Sequence, residues 1–281
     1  MKFFVTGVAG QLGHDVMNEL AKRGYEGVGS DIAPQYSGVE DGSSVTTMPY
    51  VGMDITDAKA VRETILSVKP DVVVHCAAWT AVDLAEDEDK KEKVYAINAK
   101  GTQNIADVCK ELDCKDYQPL NVYGKTKLEG ELAISNTVSK YFIVRIAWVF
   151  GLNGKNFIKT MLSVGKTHDE VRVVNDQIGT PTYTYDLSRL LVDMAETDKY
   201  GYYHATNEGG YISWYDFTCE IYKQAGLSTK VTPVTTAEYG VSKAARPFNS
   251  RLDKSKLIEN GFRSLPTWQD ALSRYLKEIE Y

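Results

Sequence analysis

Long apolar runs are missing from this chain of 281 residues. None approaches the roughly 20 consecutive apolar residues that a membrane-spanning helix needs, so no membrane partner is expected. The apolar start at Phe3, Phe4 and Val5 is broken by Gly7, Gly10 and Gln11 with no cleavage pattern after it, which argues against a signal peptide. Cysteine is scarce, and Cys76, Cys109, Cys114 and Cys219 show no Cys-x-x-Cys spacing. The expectation is four thiols, buried or partly exposed, in a reducing cytoplasm. No His, Cys or paired-acid cluster has ligand spacing, so no metal is expected. An excess of positive charge is lacking too; the net charge of −6 argues against a nucleic-acid partner. Internal repeats and low-complexity tracts are absent, although residues 38–47, rich in Gly, Ser and Thr, read as a loop.

What is present is an alternation of strand and helix patterns, which predicts an α/β fold with a parallel sheet. Lys2-Phe-Phe-Val-Thr6 reads as a strand, Gly7-Val-Ala-Gly10-Gln-Leu-Gly13 as a glycine turn, and Val16, Leu20 and Ala21 as one face of a helix. Such a turn lets backbone approach a pyrophosphate, whose charge is stabilised by unpaired N–H groups at the helix start. The Gly-x-x-Gly-x-x-Gly spacing is one residue wider at its first interval than the common dinucleotide fingerprint. A second strand, residues 26–30, ends at Asp31, where an acid can bond ribose hydroxyls. A carboxylate there repels an added 2′-phosphate, and no Arg or Lys lies between Ile32 and Thr47 to neutralise one, which leans toward NADH over NADPH. Met53-Asp54-Ile55 reads as a third strand beside the adenine, with Asp54 alternatively capping a helix from Asp57 to about Val68.

Val72-Val-Val-His-Cys76 is an almost unbroken apolar strand of the kind buried on both faces. Its carboxyl end delivers Trp79, Thr80 and Asp83 to the crevice where such sheets bind ligands. His75 reads as a hydrogen-bonded core residue. The acidic residues 86–89 read as a helix start, and residues 91–98 and 101–112 as helices.

Tyr123 and Lys127 stand four residues apart. On a helix this spacing puts a phenol beside an ammonium, which favours phenolate and lowers the tyrosine pKa from about 10. Such a pair suits general acid–base work near neutral pH.

Taken together, the chain resembles the extended short-chain dehydrogenase/reductase superfamily and, within it, the dTDP-4-dehydrorhamnose reductase family. The resemblance covers nearly the whole length. It rests on Val5-Thr-Gly-Val-Ala-Gly-Gln-Leu-Gly13, Ala77-Ala-Trp-Thr-Ala-Val-Asp83, Asn121-Val-Tyr-Gly-Lys-Thr-Lys127, Arg145-Ile-Ala-Trp-Val-Phe-Gly151, Asn175-Asp-Gln-Ile-Gly-Thr-Pro181 and Arg246-Pro-Phe-Asn-Ser-Arg-Leu252. It implies a Rossmann-type doubly wound parallel sheet with a smaller C-terminal substrate lobe. Residues 1–150 and 182–207 would form the dinucleotide-binding domain, and 151–181 with 208–281 the lobe. NADH or NADPH is the implied cofactor, held by Gly7, Gly10, Gln11, Leu12, Gly13, Asp31, Asp54, Ile55, Ala77, Ala78, Tyr123 and Lys127. A dTDP-sugar is the implied substrate, met by Thr80, Val82, Trp148, Asn156, Gln177 and Arg246, with Arg251 a second candidate diphosphate clamp. Tyr123 would donate the proton and Lys127 assist it, in cytoplasmic polysaccharide precursor synthesis. The resemblance leaves room for a homodimer. Two other readings stay open: an epimerase or dehydratase that retains its NAD, and a regulatory subunit that binds dinucleotide without turnover.

One stretch departs from the family pattern, in which a central strand ending in a Ser or Thr precedes the active-site tyrosine. Here only Lys115-Asp-Tyr-Gln-Pro-Leu-Asn-Val122 is available. It extends at most about 28 Å, contains a proline and holds neither Ser nor Thr. The expectation is that a longer segment belongs here, that the interior strand is missing without it, and that activity suffers. Thr80 is a partial substitute for the missing hydroxyl; Thr126, beside Lys127 on the helix, faces elsewhere.

Overall fold

The computed structural model describes residues 1–112, 115–120, 124–240 and 246–281, with residues 115–120, 124 and 125 described by their backbone. Seven strands form its main sheet: β1 (Lys2–Thr6), β2 (Glu26–Asp31), β3 (Tyr50–Gly52), β4 (Val72–His75), β5 (Lys115–Leu120), β6 (Tyr141–Arg145) and β7 (Gly201–His204). All pair in parallel, in the order β7-β6-β5-β4-β1-β2-β3. The order reverses between β1 and β4, which places a ligand crevice at the carboxyl ends of those two strands. The longer helices are α1 (Gln11–Lys22), α2 (Ala58–Val68), α3 (Thr102–Leu112), α4 (Gly124–Thr137), α5 (Phe157–Thr167), α6 (Thr184–Ala195), α7 (Trp214–Ala225) and α8 (Trp268–Glu278).

The unbroken apolar character of β1, β4 and β6 follows from cover on both sides of the sheet. Successive strand residues face opposite ways. Phe3, Val5, Val72, Val74, Phe142 and Val144 join one core cluster with Val16 and Leu20 of α1 and Leu187 and Leu191 of α6. Their neighbours Phe4, Val73 and Ile143 join another with Ile65 of α2, Ile105 of α3 and Ile134 of α4. Each such side chain, fully buried, contributes about 1.5–3 kcal/mol. A third cluster unites Phe150, Ile158, Tyr183, Phe217, Trp268 and Tyr275, drawn largely from α5, α7 and α8. Local signals set these helices: Ser213 and Asp216 close a capping box on α7, and Gly226 ends it at φ 68°.

The structure corrects several expectations. An interior strand does precede Tyr123: Lys115–Tyr117 pair with Val72–Val74, and Asp116–Leu120 pair with Tyr141–Arg145. Pro119 is tolerated because β4 pairs only as far as Tyr117, so the missing N–H falls where β5 has one neighbour. The third strand is Tyr50–Gly52 and ends before Met53. Asp57 caps α2, accepting from the N–H groups of Lys59 and Ala60, while Asp54 accepts from Thr56 instead. Residues 86–89 lie ahead of the short helix Lys91–Tyr95, which runs into a π-helical turn, Ala96–Gly101, and so into α3.

Candidate active site

A cleft of about 670 Å³ opens at the reversal between β1 and β4. One end is built from backbone. Gly7 has φ +72°, and a Cβ there would lie 2.6 Å from the Ala77 nitrogen at the exit of β4. A Cβ on Gly13 would lie 2.3 Å from the Gly7 carbonyl oxygen, so the third glycine lets α1 start directly against the turn. Gly10 is the N-cap and offers no capping side chain, leaving the first N–H groups of α1 for an anion. Asp31 closes this end, its carboxylate held by the N–H groups of Ala9 at 3.1 Å and Ile32 at 2.8 Å. Glycine cradle, helix start and rim carboxylate together fit a dinucleotide: pyrophosphate at the turn and ribose at Asp31.

The other end is built from side chains. Lys127 lies in the first turn of α4 and is buried, which pushes its ammonium down to about 8. The helix is tied to β6 by a two-pronged pair: Arg145 donates from Nε to Glu131 Oε1 at 2.9 Å and from Nη2 to Oε2 at 2.6 Å. His75 is buried as expected, between Thr6 Oγ1 at 2.7 Å and Thr102 Oγ1 at 3.3 Å. Burial, with the charge of Lys127 second, pushes its pKa down to about 3, so the ring stays neutral. Burial also pushes the Cys76 thiol up, making it an inert wall of the cleft. Cys76, Cys109 and Cys219 are free; Cys114 lies outside the described residues.

Gly7, Gly10, Gln11, Leu12, Gly13, Asp31, Asp54, Ile55, Ala77, Ala78, Thr80 and Lys127 all line this cleft. Tyr123 lies outside the described residues. Val82, Trp148, Asn156, Gln177 and Arg246 are not in its lining. Trp148, at φ 48°, stacks on Trp214 with centroids 3.7 Å apart. Asn156 caps α5 and donates from Nδ2 to Gly151 O and the Tyr275 hydroxyl, which makes it a joint between loop and α8. The Gln177 amide donates to Thr236 Oγ1. Arg246 donates to Asp83 Oδ2 at 2.8 Å, joining the C-terminal region to the short helix Val82–Ala85 that follows β4. Arg251 lies over the Tyr211 ring.

Sequence reasoning missed two contributors. Asn98 sits in the π-helical turn; its Oδ1 accepts from Trp79 N at 2.9 Å and its Nδ2 donates to Thr126 Oγ1 at 3.4 Å. No periodicity announces a π-turn, so nothing in the pattern marked it. Lys155 also lines the cleft, on a loop that Asn153 pins to the chain after Asp31 by accepting from Val39 N and donating to the Tyr36 hydroxyl. It brings from far along the chain the cation that residues 32–47 lack. Among the described residues, no group of three or more His, Cys, Asp or Glu is placed to hold a metal, and no helix is long and apolar enough to cross a membrane.

The chain matches the model of the family described as RmlD substrate binding domain, in two segments, residues 1–115 and 113–281. It is 36% identical to the spore coat polysaccharide biosynthesis protein SpsK of Bacillus subtilis, over 99% of this chain and 97% of that protein. It is also 36% identical to the dTDP-4-dehydrorhamnose reductase of Aggregatibacter actinomycetemcomitans, over 96% of this chain and 97% of that one. A crystal structure of dTDP-4-dehydrorhamnose reductase from Bacillus anthracis in complex with NADP superposes with a TM-score of 0.85 at 33% identity, covering 99% of this chain and all of that one. The two curated alignments run over 303 and 310 positions, longer than this chain of 281, and the two family segments meet just ahead of β5. The chain is therefore shorter than these relatives within its interior.

Proposed function

The chain belongs to the RmlD substrate binding domain family, and on that premise we propose that it is an NAD(P)H-dependent reductase acting on the 4-keto group of dTDP-4-dehydro-L-rhamnose to give dTDP-L-rhamnose. The observation that carries this reading is the single cleft that joins a dinucleotide cradle to Lys127. Its support is the near full-length likeness to relatives that bear that name. When bound, the reduced nicotinamide supplies a hydride to the ketone carbon. Gly7, Gly10 and Gly13 make room for the pyrophosphate, and the N–H groups of α1 stabilise its charge. Tyr123 holds a proton on its hydroxyl and passes it to the carbonyl oxygen, which becomes the alcohol. Lys127 lowers the cost of the phenolate left behind, and solvent reprotonates it. Residues 1–150 and 182–207 serve the dinucleotide, and residues 151–181 and 208–281 the sugar nucleotide, in the cytoplasm. Asp31 leans toward NADH, but Lys155 supplies a cation on the same cleft, so both cofactors belong in the assay.

The test is to add dTDP-4-dehydrorhamnose and follow NADH and NADPH absorbance. Stoichiometric consumption with formation of dTDP-L-rhamnose is expected. Isomerised sugar without net consumption would point to the epimerase reading, and binding without turnover to the regulatory one. Tyr123→Phe should lower kcat by about 10²–10⁴-fold while leaving cofactor affinity within twofold; unchanged turnover would remove Tyr123 as the proton donor.

A further inference from the structure

An alkoxide forming in the cleft needs fixed donors, and each is worth about 10²–10³ in kcat. Tyr123 supplies one and spends its proton in doing so. A second hydroxyl has to come from elsewhere, because residues 103–125 contain no Ser or Thr.

Among the described residues, the hydroxyls that line the cleft are those of Thr6, Ser30, Thr56 and Thr80. Thr6 Oγ1 is committed to His75 Nδ1 at 2.7 Å and accepts from Ala77 N at 3.4 Å. Ser30 is wholly buried on β2, beside Asp31 at the ribose end. Thr56 donates to Asp54 Oδ1 at 2.8 Å. Thr80 is exposed, and no hydrogen bond joins its hydroxyl to any other described residue.

The position of Thr80 is also coupled to that of Lys127. Asn98 Oδ1 accepts from the N–H of Trp79, the residue before Thr80. Asn98 Nδ2 donates to the hydroxyl of Thr126, the residue before Lys127. One buried amide thus fixes the loop after β4 against the first turn of α4. Asn98 is itself anchored, its carbonyl accepting from Thr102 Oγ1 at 2.9 Å.

We propose that Thr80 is a catalytic residue whose hydroxyl donates the second hydrogen bond to the sugar ketone, in place of a hydroxyl from the strand before Tyr123. This deepens the reductase reading and rests on it. The hydroxyl keeps its proton throughout: it shortens its bond to the oxygen as charge develops and lengthens it once Tyr123 has protonated the alkoxide.

The experiment compares Thr80→Val, which keeps the shape and removes the donor, with Thr80→Ser, which keeps the donor. With the 4-keto sugar nucleotide and NADPH, the valine variant should lose about 10²–10³-fold in kcat. Its KM for the sugar should stay within about threefold and its NADPH affinity should be unchanged, while the serine variant should retain activity within about fivefold. A second measurement reads the ketone directly: the infrared band of substrate labelled with ¹³C at C4, bound with oxidised NADP so that no turnover occurs. The band should lie lower in the wild-type and serine proteins than in the valine variant. An active wild-type protein whose valine variant keeps its kcat overturns the assignment of Thr80 alone. So does a loss that serine fails to restore with an unmoved carbonyl band, since that marks a merely structural residue. A wild-type protein that does not reduce the sugar at all counts against the function itself.

Discussion

The two ends of the cleft are built on opposite principles. At the glycine end the chain presents backbone, and side chains matter chiefly by being absent: a single methyl at Gly13 would fall 2.3 Å from a carbonyl oxygen. At the lysine end the chain presents polar side chains from separate stretches, Thr80, Asn98 and Lys127, near a buried His75, with the Asn98 amide bonded to Trp79 and Thr126, the residues before Thr80 and Lys127. On the proposed reading the first end binds and the second reacts. Binding a pyrophosphate needs several N–H groups in a fixed curve, which a contiguous segment supplies on its own. Holding a ketone while a proton moves to it needs unlike groups converging on one atom, and the cleft gathers Thr80 and Lys127 from separate stretches.

This contrast predicts a double dissociation. Gly13→Ala should produce the larger effect, a fall in NADPH affinity of about 100-fold, or near 3 kcal/mol, as the start of α1 is pushed off the turn. Fluorescence titration without substrate measures it, and affinity within threefold of wild type would show that the cradle yields more easily than its geometry implies. Asn98→Ala should do the reverse. It leaves the Trp79 N–H without its partner, a loss of about 1–3 kcal/mol, and frees the loop that carries Thr80. A fall in kcat of about 30-fold is expected, with NADPH affinity unchanged in the same titration. Equal losses in both quantities would erase the distinction between the two ends.

The smallest effect concerns the base of the reactive end. Unfolded, His75 takes up a proton below its ordinary value of 6.5, whereas folded it resists until about 3. Its contribution to stability is therefore complete above pH 6.5 and declines as pH falls toward 3, by about 1.4 kcal/mol for each pH unit once well inside that window. Urea unfolding across the window should show a steeper acid slope for the wild-type protein than for His75→Gln, whose amide does not titrate. Identical slopes would mean that other groups carry the acid sensitivity.

Legibility in the sequence follows the same division. The turn Gly7, Gly10, Gly13, the carboxylate Asp31 and the apolar strands β1, β4 and β6 were readable because each is a local pattern with one physical meaning. Strand β5 was not readable, since Lys115–Leu120 lacks the apolar run and carries Pro119. It is a strand because β4 and β6 stand on either side with unpaired edges, and tertiary pairing overrides local preference. Asn98 hid in a π-turn, and Lys155 in a loop more than a hundred residues from Asp31, with which it shares the cleft.

By itself the sequence determined a parallel α/β fold and a glycine turn at the start of α1, because period and glycine spacing act within one or two turns of chain. Only the tertiary structure decided that Pro119 sits in an interior strand, that Lys127 is stripped of water, and that Thr80 shares a cleft with it. Those facts depend on which distant segments exclude solvent together, and desolvation is a property of the packed assembly.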